Sequence, residues 1–141
     1  MIVIDASVWV SFLAPQDVFH APTRTWMEPW RVAKEPMLSP VILLAEVGGA
    51  FVRRFSNPDL GYEAINGIRG FPDVHLIPID RELGDLAADL AASLRLRGAD
   101  ATYVAVAHAY DIPLVTWDQE LLMRTAAAIQ TYTPHTAPAR R

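Results

Sequence analysis

The sequence predicts a single α/β domain whose mainly parallel central sheet is flanked by helices. Three observations carry this reading. The opening run Met1–Ile4 is wholly apolar and largely β-branched, as expected for a strand buried on both faces of a parallel sheet. Short apolar runs of this kind alternate with segments whose apolar residues recur every three or four positions, the order of a helix-covered parallel sheet. Finally, 141 residues, 52% hydrophobic and 20% charged, suit one globular core rather than two domains or a disordered chain.

Taken in order, Met1–Ile4 is the first strand and places Asp5 at its C-terminal end. Ser7 to Leu13 starts a short helix stopped by Pro15. Pro22, Pro29, Pro36 and Pro40 then crowd the chain, so helix in this segment is expected to break or to restart at a first-turn proline. Trp26 and Trp30, four apart, can share a helical face. Ser39-Pro40 reads as an N-cap serine before a first-turn proline, opening a helix to about Phe55 that Asn57-Pro58 ends. Two glycines inside it, Gly48 and Gly49, cost about 1 kcal/mol each relative to alanine, which points to close packing against another backbone.

Asp59 to Gly70 reads as a further helix and Val74–Ile79 as a strand with a proline near its end. Asp80 caps the next helix, in which Leu83, Leu86, Ala87, Leu90, Ala91 and Leu94 hold helical spacing and Gly98 is the expected terminator. A helix beginning near Asp100 runs to Tyr110, Ile112–Thr116 is a short buried strand, and Gln119 to about Ala127 is the last helix. Ile129–Thr133 is a candidate final strand. The domain is expected to span 1–133, with 134–141 a short flexible tail.

With no cysteine, disulfides, thiolate zinc sites and thiol nucleophiles are excluded. No stretch approaches the ~18 apolar residues that would span a bilayer, and the apolar N-terminus carries Asp5 and no basic leader, so a cytoplasmic protein is expected. The net charge of −4 looks wrong for a nucleic-acid partner only if every acid is a solvated surface charge. Eleven of the twelve bases are arginine, whose planar fork suits phosphate or carboxylate.

Four acids stand where solvation alone does not explain them: Asp5, Glu46, Asp100 and Asp118. Asp5 follows a buried strand, and in open α/β sheets binding sites lie beyond the strands' C-terminal ends. Glu46 shares a helix face with Ile42, Leu43, Gly49 and Ala50, where an unpaired carboxylate is costly and calls for a metal or an arginine. Asp100 and Asp118 each have an ordinary reading as helix caps. Together, the four can converge on an oxygen-lined pocket of the kind that holds Mg²⁺ or Mn²⁺ for phosphodiester chemistry. Set these four aside and twelve acids balance twelve bases.

Ile2-Val3-Ile4-Asp5-Ala6-Ser7, Glu46 in a mid-chain helix, Leu96-Arg97-Gly98-Ala99-Asp100-Ala101-Thr102-Tyr103-Val104-Ala105 and Leu114-Val115-Thr116-Trp117-Asp118 follow one another in an order and spacing that resemble the PIN-domain nucleases, in particular VapC-like toxins of type II toxin–antitoxin pairs. The resemblance covers most of the chain. It implies a PIN-like fold and a Mg²⁺- or Mn²⁺-dependent endoribonuclease, with Asp5, Glu46, Asp100 and Asp118 as catalytic metal-site residues, Asp118 acting partly through water. It also implies that Ser7 and Thr116 orient a carboxylate or water from behind, that the chain is a homodimer, and that a cognate antitoxin restrains it; the alternatives within the family are a nuclease of RNA processing outside such a pair and an inactive scaffold that binds a partner protein. Other aspartyl phosphoryl-transfer families fit less well: a haloacid-dehalogenase-type enzyme needs an Asp where Ser7 stands, and a receiver domain needs a lysine after a late strand, far from Lys34.

Arg53 and Arg54 at the end of the Glu46 helix are candidates for RNA phosphates or an acidic antitoxin segment, or form a solvated helix end. Trp9, Trp26, Trp30 and Trp117 are candidates for base stacking or for core. His20, His75, His108 and His135 have no metal-ligand spacing and are given no role.

Overall fold

The computed structural model describes residues 1–139; Arg140 and Arg141 lie outside the described residues. Its elements are β1 (Ile2–Ile4), α1 (Ala6–Leu13), α2 (His20–Val32), β2 (Met37–Pro40), α3 (Leu43–Phe55), α4 (Pro58–Arg69), β3 (Val74–Ile77), α5 (Arg81–Leu94), α6 (Gly98–Tyr110), β4 (Leu114–Val115), α7 (Gln119–Thr125) and β5 (Thr131–Tyr132). The five strands form one parallel sheet in the order β3-β2-β1-β4-β5. No helix among the described residues is long and apolar enough to cross a membrane.

Strand β1 is central, and its all-apolar sequence follows from that position, because helices cover both faces and Ile2, Val3 and Ile4 are fully buried. Val3 pairs with Leu38 on one side and Leu114 on the other. The chain winds one way from β1 to β2 and β3, then returns to add β4 and β5 on the other side. The strand order therefore reverses between β1 and β4, and the crevice beyond their C-terminal ends is the ordinary binding position of such a sheet. Asp5 follows β1 there, and Thr116, Trp117 and Asp118 follow β4.

The largest departure from the sequence reading is β2. Ser39-Pro40 does not open a helix but ends a fully buried strand, paired to β1 and β3, with Ser39 Oγ donating to the Ile4 carbonyl at 2.6 Å. The same dipeptide satisfies both readings locally, since a residue before proline favours extended backbone. Tertiary pairing decides it, and α3 begins at Leu43 instead. Helix α2 likewise runs unbroken through Pro29. One missing amide is offset there by burial of Trp26, Met27 and Trp30, each buried large side chain contributing about 1.5–3 kcal/mol. Trp26 and Trp30 do share a face, with ring centroids 5.9 Å apart.

Gly98 does not terminate α5. That helix ends at Arg95, which takes the left-handed conformation (φ 56°), with Leu96 N donating back to the Ala91 carbonyl at 3.0 Å, and Gly98 opens α6. The expected close approach at the helix glycines is found at Gly48, where α3 crosses α4: a Cβ on Gly61 would lie 3.0 Å from the Gly48 carbonyl oxygen. Gly49 instead faces the Arg53 guanidinium. Beyond β5, Pro134 is buried and Ala137 packs on the core.

Candidate active site

Asp5 is built into the start of α1. It is the N-cap residue, and its Oδ2 accepts from Ser7 N at 3.2 Å, Ser7 Oγ at 2.5 Å and Thr116 Oγ1 at 2.8 Å. The two hydroxyls are themselves aimed by backbone, because Ser7 Oγ accepts from Trp117 N at 3.0 Å and Thr116 Oγ1 from Asp118 N at 3.0 Å. Each hydroxyl thus has one proton to give, and both give it to the same carboxylate oxygen. Burial raises the Asp5 carboxyl above its usual range, against the hydrogen bonds from Ser7, Thr116 and Ala6 that favour its charged form.

Glu46, on the first turn of α3, is half-buried and accepts from the Tyr103 hydroxyl of α6 at 2.5 Å. Burial raises its carboxyl, and the charges of Asp5 and Asp100 raise it further. Asp100 lies in the first turn of α6 but is not its cap, a position taken by Arg97 without a side-chain bond, so the capping reading of Asp100 fails. Its carboxyl is also raised, first by burial and then by Asp5 and Asp118, against the opposing charge of Arg97. Asp118 is a cap: its Oδ1 accepts from Glu120 N at 2.9 Å and Leu121 N at 3.2 Å. That leaves Oδ2 toward Arg97, whose Nη2 lies 3.5 Å away, while Arg97 Nε donates to Asp100 at 3.2 Å.

The four acids therefore gather beyond the C-terminal ends of β1 and β4, and the neighbouring carboxylates add to burial in raising the carboxyls of Glu46 and Asp100. All are hard oxygen ligands suited to Mg²⁺ or Mn²⁺. Among the described residues no three of them close into a finished cage. Mg²⁺ does not demand one, since it takes one or two carboxylates and keeps several waters. On donor chemistry and mutual repulsion the residues fit such an ion.

A cleft of about 470 Å³ opens beside them, lined by Ser7, Phe19, Glu46, Arg53, Trp117 and Asp118 among others. Asp100 does not line this cleft but a small depression with Arg97, Glu120 and Arg124. A larger cavity of about 610 Å³ lies at the opposite end of β4, near Asp111, Pro113 and Ile129, away from the four acids.

Sequence comparison decides the family, because the model of the PIN domain matches residues 2–127. The chain belongs to the PIN domain family. No curated protein sequence matches it. Among solved structures, it is similar to VapC20 of Mycobacterium tuberculosis, described as a sarcin-ricin loop cleaving toxin, with 20% identity, TM-score 0.74 and coverage of 92% of this chain and 96% of that one. FitAcB from Neisseria gonorrhoeae gives 18% identity, TM-score 0.73 and coverage of 96% and 99%. A toxin–antitoxin complex from Klebsiella pneumoniae gives 14%, 0.69, and 97% and 100%. At these identities the likeness establishes the PIN fold.

Two residues of this PIN domain's acid site carry no role in the sequence reading. Tyr103 follows Asp100 by one helical turn, so both face the same way, and its spacing from Asp100 was the available signal. Arg97 bridges Asp100 and Asp118 across α6 and α7, a pairing visible only once β4 lies beside β1. All four tryptophans belong to the buried core, and Trp117 also lines the cleft. Arg54 is engaged by Asp17 at 2.7 Å, and Arg53 lines the cleft.

Proposed function

We propose that this PIN domain is a metal-dependent endoribonuclease, the cytoplasmic toxin of a type II toxin–antitoxin pair, acting as a homodimer and restrained by a cognate antitoxin. The observation that supports the reading best is the grouping of Asp5, Glu46, Asp100 and Asp118 beyond the C-terminal ends of β1 and β4, where Glu46 and Asp100 have carboxyls raised by burial and by the neighbouring acids. Family membership and the fold shared with VapC20 and with a toxin–antitoxin complex support it.

Asp5, Asp100 and Glu46 would hold Mg²⁺ or Mn²⁺, with Asp118 joining partly through water. When bound, such an ion lowers the pKa of a coordinated water and neutralises charge developing on the phosphate. The protein's own part is positional. Ser7 and Thr116 fix the Asp5 carboxylate through Oδ2, Tyr103 fixes Glu46, and the α7 amides hold Asp118 by one oxygen while leaving the other toward the site. The adjoining cleft, with Arg53 on its wall, takes the RNA strand.

The test incubates purified protein, free of any antitoxin, with labelled structured RNA in Mg²⁺ or Mn²⁺, beside EDTA and an Asp5→Asn variant. Cleavage that needs the metal and vanishes in the variant is the expected result. Absence of cleavage of any RNA, together with no Asp5-dependent Mn²⁺ binding, sinks the reading and leaves a binding scaffold.

A further inference from the structure

The cleft beside the acids has an aromatic floor that metal chemistry does not need. Phe19, the residue before α2, stacks on Trp117 with ring centroids 4.3 Å apart and planes within 13°. The pair is asymmetric: Trp117 is 9% exposed, whereas Phe19 is 41% exposed. The inner ring is fixed at several points, since its Nε1 donates to the buried Thr23 Oγ1 at 2.9 Å, its amide bonds Ser7, and His135 packs edge-on against it at 5.2 Å. The backbone that carries the outer ring is also held, because Phe19 N donates to Asp17 Oδ1 at 2.8 Å and Asp17 is tied to Arg54 and Ser11. Phe19 thus presents a flat apolar ring to water where it lines the cleft, with a second ring fixed behind it, the arrangement on which another flat ring can stack.

We propose that Phe19, backed by Trp117, is a nucleobase-stacking platform for the nucleotide adjoining the phosphate that is cleaved; this deepens the ribonuclease reading and rests on it. Position favours a base over a protein side chain. Trp117 lies between Thr116 and Asp118 in sequence, so whatever stacks on its outer neighbour stands next to the acids. Glu46 and Arg53 line the same cleft, the one toward the acids and the other a cation for a flanking phosphate. Every base has a flat π-face, so such a platform gives affinity with little sequence preference.

The experiment measures binding of a fluorescein-labelled, single-stranded 12-nucleotide RNA by anisotropy, with Ca²⁺ in place of Mg²⁺ and the RNA checked intact by gel. Wild type is compared with Phe19→Leu, which keeps apolar cover over Trp117 but has no π-face, and with Phe19→Tyr, which restores one; thermal melts confirm that both fold. A second RNA carries abasic sites at its central positions. We expect Phe19→Leu to bind the intact RNA roughly 5- to 100-fold more weakly, the range for losing one stacked base. Phe19→Tyr should stay close to wild type, and wild type and Phe19→Leu should bind the abasic RNA alike. Unchanged binding by Phe19→Leu, or an equal loss on the abasic RNA, overturns the platform while leaving the nuclease reading intact. Wild-type protein that neither binds nor cleaves RNA brings down the nuclease reading and this inference together.

Discussion

Thr116 Oγ1 donates to Asp5 Oδ2 at 2.8 Å while accepting the Asp118 amide at 3.0 Å, so one hydroxyl joins the acid after β1 to the acid after β4. Thr116 is fully buried, and its proton has no competing partner of equal charge. Thr116→Val keeps the shape and removes the donor. We expect a loss of about 1–3 kcal/mol of stability, from a buried carboxylate short of one bond, and Mn²⁺ affinity lowered roughly 10- to 100-fold. Chemical denaturation and calorimetric titration read the two effects; Thr116→Ser should recover most of both.

Tyr103→Phe tests the strut between α6 and α3. Burial and the neighbouring Glu46 carboxylate raise the Tyr103 phenol, so it stays a donor across the accessible pH range. Its removal should cost about 1 kcal/mol of stability and slow RNA cleavage roughly tenfold through a misaimed Glu46. Rates at saturating metal check this; an unaltered rate would show that Glu46 needs no aiming.

Arg97 is exposed, yet it pairs with both Asp100 and Asp118. Arg97→Gln should tighten Mn²⁺ binding in titrations, because a competing charge is gone. The same variant should melt lower in EDTA, where the acids lose their neutralising neighbour. Weaker Mn²⁺ binding would instead mark Arg97 as a support of the ion site.

The pH dependence has a definite sign. Asp5, Glu46 and Asp100 have carboxyls raised in the folded protein, chiefly by burial, so the native state holds more protons than the unfolded chain just above the ordinary carboxylate range. Stability of the metal-free protein should therefore fall as pH rises through that window. Asp17 opposes this only at lower pH: despite some desolvation, its bonds from Arg54, Phe19 and Ser11 lower its carboxyl, so its contribution is lost as pH falls below the ordinary range. Metal-free melts between pH 4 and pH 8 should decline toward neutrality, and Mg²⁺ or Mn²⁺ at pH 7 to 8 should reverse the decline. A flat or rising profile contradicts the raised carboxyls of the three acids.

The α3–α4 crossing distinguishes two glycines. A Cβ on Gly48 would meet the end of the Ile65 side chain at 2.7 Å, which can swing away, whereas one on Gly61 meets Val52 Cγ2 at 2.8 Å and the Gly48 carbonyl oxygen at 3.0 Å. Gly61→Ala should cost about 1–3 kcal/mol, the range for overpacking a tight contact, and Gly48→Ala less. Melting temperatures of the two variants rank them directly.

The sequence makes the sheet's centre and its acids legible because both depend on local pattern. Ile2–Ile4 can only be a two-sided buried strand, and Asp5 can only follow it. The strand at Met37–Pro40 is not legible, because Ser39-Pro40 fits a helix start as well as a strand end and its partners, Val3 and Ile77 among them, lie far away in the chain. The end of α5 is misplaced for a related reason: Arg95 adopts the left-handed turn that glycine is expected to supply, and the available glycine starts the next helix. Within the site, Arg97 and Tyr103 sit in a stretch whose importance shows, but their partners Asp118 and Glu46 come from other elements. Their pairing is tertiary information.

The pairing of β1 with β4 sets when the acid pocket can exist during synthesis. Asp5 and Thr116 are 111 residues apart, and the contact that joins them closes nearly the whole chain into one loop. Non-local pairings of this kind form late and slowly. A ribosome-bound fragment ending before β4 holds Asp5, Glu46 and Asp100 but lacks Thr116 and Asp118 altogether, so a product terminated there leaves Asp5 without the Thr116 bond.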